Sequence, residues 1–114
     1  MGKQSLPLLS LPVTASGAIA AARFVTPAGA QAGAGVNTLG VSRFDALDTE
    51  TLTVDVIGTS IIETGGAIAA GGLIESDADG KAIAKAAGVA AARALPGQSA
   101  AGAGEFIEAL LLAN

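Results

Sequence analysis

The chain has 114 residues and a net charge of −4, from six basic and ten acidic side chains, and is 51% hydrophobic but only 3% aromatic. That is room for one small domain with a thin core, because much of the apolar content is alanine, and burying a methyl contributes roughly a third of what a leucine contributes. With no cysteine or histidine, disulfides, thiol nucleophiles, Ser-His-Asp chemistry and ordinary transition-metal sites are excluded, and the acidic balance argues against nucleic-acid binding.

The mean hydropathy is +0.60, yet no apolar run is long enough for a spanning helix. The nearest, Thr64 to Ile74, has eleven residues and four glycines. The expectation is a chain with no membrane, nucleic-acid or cofactor partner.

At the N-terminus, Lys3, the aliphatics Leu6, Leu8, Leu9, Leu11 and Val13, and then Ala18-Ile19-Ala20 loosely imitate a secretory signal. Pro7 and Pro12 interrupt it. Each proline fixes φ and biases the residue before it toward extended backbone. Residues 1–20 are therefore expected as an extended N-terminal arm, and residues 21–114 as a single β domain.

Ala21 to Thr26 reads as a short strand carrying Phe24 and Val25, stopped at Pro27-Ala28-Gly29. An Ala/Gly/Gln loop follows, and Leu39 to Phe44 reads as a second strand. Asp45 to Glu50 is an acidic turn. Thr51 to Ile57 has the clearest strand pattern, with Leu52, Val54 and Val56 on one face and Thr51, Thr53 and Asp55 on the other. Gly58 is expected to break or bulge it.

From Thr64 onward, short apolar runs punctuated by glycine pairs and an Asp-Gly turn describe a tight β-meander or barrel. Lys81 to Leu95 is alanine-rich and helix-prone, but Gly88 at its centre costs about 1 kcal/mol in a helix, and the segment is expected to be mostly strand. Glu105 to Leu112 reads as a buried closing strand, with a short helix as the other option.

Candidate chemistry is sparse. Asp77-Ala78-Asp79-Gly80 opens like a calcium loop, but Lys81 and Gly88 stand where further ligands are needed, so a hairpin turn is the better reading. Glu105 and Glu108 are the nearest approach to a carboxylate pair, and a solvated edge explains them better than catalysis. Lys81 beside an Asp-Gly turn supports a second reading, a lipoyl- or biotinyl-like carrier module. Nothing supports an enzyme or a catalytic, cofactor or metal site.

The succession of segments resembles the bacteriophage capsid decoration, or cement, proteins of the DUF2190 type. It runs through Leu8-Leu9-Ser10-Leu11-Pro12-Val13, Ala22-Arg23-Phe24-Val25-Thr26, Gly40-Val41-Ser42-Arg43 and Thr53-Val54-Asp55-Val56-Ile57-Gly58-Thr59. Further on it includes Gly65 to Leu73, Ser76 to Ile83, Ala92-Arg93-Ala94-Leu95 and Ala101 to Ile107. The resemblance implies a mainly β fold, a small β-barrel or sandwich with an extended N-terminal arm and at most one or two short helices. It also implies a structural virion protein on the outer surface of the capsid, bridging subunits of the major capsid protein, commonly as a homotrimer. Leu6, Leu8, Leu9, Leu11, Val13 and Phe24 are the expected capsid or inter-subunit contacts, with Phe44 and Phe106 as further core or interface anchors.

Overall fold

A computed structural model describes residues 5–114. Lys3, part of the signal-like pattern, and the first residues of the expected arm lie outside them. The described residues contain no helix and form eight strands: β1 (Leu6–Thr14), β2 (Phe24–Val25), β3 (Gly40–Ser42), β4 (Thr51–Glu63), β5 (Leu73–Ser76), β6 (Ala82–Ala84), β7 (Ala92–Ala94) and β8 (Phe106–Leu111).

The sheet runs β2-β3-β4-β8-β7-β5-β6, antiparallel throughout, with β1 added to β4 outside that path. It nearly closes. Gly65 N–H donates to Ala82 O at 2.7 Å and Phe24 N–H to Gly80 O at 2.8 Å, tying β6 and the turn before it back to β4 and β2. The fold is thus a small, mainly β, barrel-like domain.

The thirteen-residue β4 organises the sheet. One edge carries β1 along Thr51–Thr59, and the other carries β3 near Val54 and Asp55 and β8 from Thr59 to Glu63. Gly58 does not break it. Its φ of +104° lets the backbone pass Leu6 O, which a Cβ would meet at 2.4 Å. Across from it, β1 bulges at Leu8 and the register shifts.

The expected arm is extended, but β1 lies along β4 from Leu6↔Thr59 to Thr14↔Thr51. That pairing satisfies the backbone groups that face β4, so residues 6–14 belong to the domain's own sheet and do not stand away from it.

Two apolar clusters fill the interior. Phe24, Val41, Ile62, Ile74 and Ile107 join seven alanines and Ile68 in the larger; Ile19, Val25, Leu52 and Val54 form the smaller, with Val13 and Val56 packed against it. Alanine is the material that lets strands from opposite walls approach closely. Gly88 is explained by the same tightness: a Cβ there would lie 2.4 Å from both Gly35 Cα and a Glu75 carboxylate oxygen. The segment around it is accordingly a crossing loop between β6 and β7, and neither a helix nor one continuous strand.

Candidate contact surface

The outer face of the sheet is defined by cross-strand partners, whose side chains point the same way. Leu6, Thr59, Leu110 and Arg93 form one row across β1, β4, β8 and β7, and Leu9 pairs with Ile57 in the next. Leu8 is the extra residue at the bulge. Leu8 is 84% exposed, Leu6 56%, Ile57 50% and Leu9 40%, with Leu110 at the margin. Five aliphatics therefore make a contiguous apolar ridge, the kind of surface that marks an interaction site.

The expected contacts divide accordingly. Leu6, Leu8 and Leu9 crown the ridge, while Leu11 is half-buried and Val13 turns into the smaller core cluster. Phe24 is 0% exposed in the main core, so it cannot touch a partner. It is a packing residue, because β2 sits on the inner wall. Phe44 and Phe106 are exposed and anchor no core. Ile57 and Leu110 were missed: a period-two pattern places them on an outer face but cannot distinguish a wet face from a contact face.

Beside the ridge, Asp55 was expected on the polar outer face, yet it is fully buried. Ser10 Oγ donates to Oδ1 at 2.8 Å, Ser60 Oγ to Oδ2 at 2.9 Å, and Arg43 Nε lies 3.1 Å from Oδ1. These donors satisfy a carboxylate that would otherwise be costly to bury. They also fasten β1 to β4 and to the residue after β3. Glu108, expected on a solvated edge, is likewise buried and accepts from Thr59 Oγ1 at 2.7 Å. Glu105 is exposed and accepts the Ala101 and Gly102 N–H groups.

The outer edge of β1 is closed to strand addition by its prolines. Ala15 N–H donates to Glu50 O and Leu6 N–H to Thr59 Oγ1. Since N–H directions alternate along a strand, the nitrogens of Pro12 and Pro7 face away from β4. There they remove two donors that an incoming strand would need, so this edge is poorly suited to strand addition.

The other motifs are structural. Asp77 Oδ1 accepts the Asp79 and Lys81 N–H groups, and Gly80 has a φ of +77°, closing the β5–β6 hairpin. Lys81 follows that turn with its Nζ 3.4 Å from Glu63 Oε2, a poor posture for a carrier lysine that must stand free at a tip. A hollow of about 450 Å³ between Ile19 and Leu47 holds Asp45 and Glu50, which accept the Ala21 and Leu47 N–H groups respectively.

Comparison with known proteins bears on the family and the fold. Residues 3–110 match the sequence profile of a family described as phage cement protein. The fold is similar to the head fiber gp8.5 N base of bacteriophage phi29, with a TM-score of 0.73 over 91% of this chain and 93% of that one, at 16% identity. No curated protein sequence matches.

Proposed function

The chain belongs to the phage cement protein family, and on that premise we propose that it binds the outside of a phage head, bridges major capsid subunits and stabilises the shell. At the coarser level it is a capsid-associated structural protein of the virion. The family's description gives it a structural role. The bridging, the outer position and a homotrimeric state are the finer parts of the proposal.

The observation that carries it is the ridge of Leu6, Leu8, Leu9 and Ile57, held in water on a sheet whose own core is complete without it. A rigid face presented by paired strands loses little conformational freedom on docking, unlike a free arm, which must be ordered at roughly 1–2 kcal/mol per residue. Leu6, Leu8 and Leu9 are the proposed contacts, with Leu11 and Val13 supporting them from behind.

The test is addition of the chain to cognate heads assembled without it. Saturable co-sedimentation and a raised head-disruption temperature are expected. A chain that stays in the supernatant at every concentration refutes the proposal.

A further inference from the structure

The strands that build the ridge face have an uneven charge distribution. In a chain of net charge −4, β1, β3, β4, β7 and β8 carry three carboxylates, Asp55, Glu63 and Glu108. None is free on this face: Asp55 and Glu108 are buried, and Glu63 is paired to Arg23 at 3.2 Å and Lys81 at 3.4 Å. The exposed acids lie in loops: Asp79 is in the β5–β6 turn and Glu105 directly precedes β8. Asp45, Asp48 and Glu50 sit in the turn beside Thr51, eight positions along β4 from Thr59, or roughly 25 Å at the rise of a strand.

Two arginines flank the ridge instead. Arg93 lies in the row Leu6–Thr59–Leu110–Arg93, and Arg43 stands beside Asp55, whose neighbour across β1 is Ser10. Both are exposed. Arg43 uses Nε on Asp55 and Arg93 uses Nη1 on the Gly71 carbonyl at 2.8 Å. Their remaining guanidinium nitrogens have no partner among the described residues. Arginine donors at the margin of an apolar patch are the usual anchors of a protein interface, because a planar guanidinium meets a carboxylate with two parallel bonds.

We infer that the partner surface is an apolar strip bordered by carboxylates, and that Arg43 and Arg93 clamp those carboxylates while the leucines fill the strip. This rests on the proposed capsid function and names the chemistry of the shell surface it requires.

The experiment titrates cognate heads, assembled without this chain, with the full-length protein at roughly 50 and roughly 500 mM salt, conditions that span weak to strong screening. Wild-type binding is expected to weaken with salt. Arg93→Gln should bind about three- to tenfold more weakly at low salt and show a smaller salt effect. Arg43→Lys, which keeps a positive charge beside buried Asp55, should lose affinity through the missing fork, and a thermal melt of the free protein separates that loss from any weakening of the Asp55 contact. Lys85→Gln, on the loop after β6, should be unchanged. Salt-independent wild-type binding, or undiminished binding by both arginine variants, overturns the clamp and leaves head binding standing. No wild-type binding at either salt overturns the clamp together with the capsid proposal.

Discussion

Leu8→Ala isolates the ridge from the rest of the fold. Leu8 is 84% exposed at a bulge, so truncating it removes almost no contact within the domain. The stability change should stay within about 0.5 kcal/mol. On docking, nearly the whole side chain is available for burial, worth about 1.3–2.5 kcal/mol when scaled from full burial of a leucine. Alanine retains roughly a third of that, so the loss is about 0.8–1.7 kcal/mol, a roughly four- to seventeenfold weaker dissociation constant per copy. The assay is quantitative co-sedimentation with heads below saturation, alongside a thermal melt of the free protein. Leu8→Asp should bind still more weakly, because a carboxylate would have to be desolvated against an apolar partner. A Leu8→Ala protein that melts like wild type and binds heads equally well would refute the assignment of this face. Deleting residues 2–13 is a poorer test, since it strips β4 of the neighbour it uses from Thr51 to Thr59.

Phe24→Ala should cost about 3–5 kcal/mol in denaturant unfolding, as a cavity replaces the largest fully buried side chain. Asp55→Ala should lower stability by about 1–3 kcal/mol by leaving the Ser10 and Ser60 hydroxyls without their acceptor, and faster amide exchange along β1 is expected. Gly58→Ala should destabilise by about 1–3 kcal/mol, since it adds a Cβ against Leu6 O at positive φ; calorimetry reads it directly. Pro7→Ala with Pro12→Ala restores two outward N–H groups on the open edge of β1, and should raise self-association in light scattering at high concentration.

Composition and pattern alone determined the fold class. Glycine-punctuated apolar runs, an Asp-Gly turn and the alternation of Leu52, Val54 and Val56 specify short antiparallel strands, because each is a local preference of the backbone. The order of segments brought the family into view, while the absence of cysteine and histidine only narrowed the chemistry. Tertiary structure decided which side of each strand is wet and what the N-terminal segment does. Proline spacing makes Leu6–Thr14 extended, but only the open edge of β4 turns it into β1. Phe24 and Leu8 look alike as apolar residues near the N-terminus. One is interior and the other prominent because barrel closure buries β2 and leaves β1 outside. Asp55 sits in phase with Thr51 and Thr53, yet Ser10 from β1 and Ser60 from beyond Gly58 in β4 enclose it. Those placements depend on contacts between residues far apart in the chain, and no local pattern encodes them.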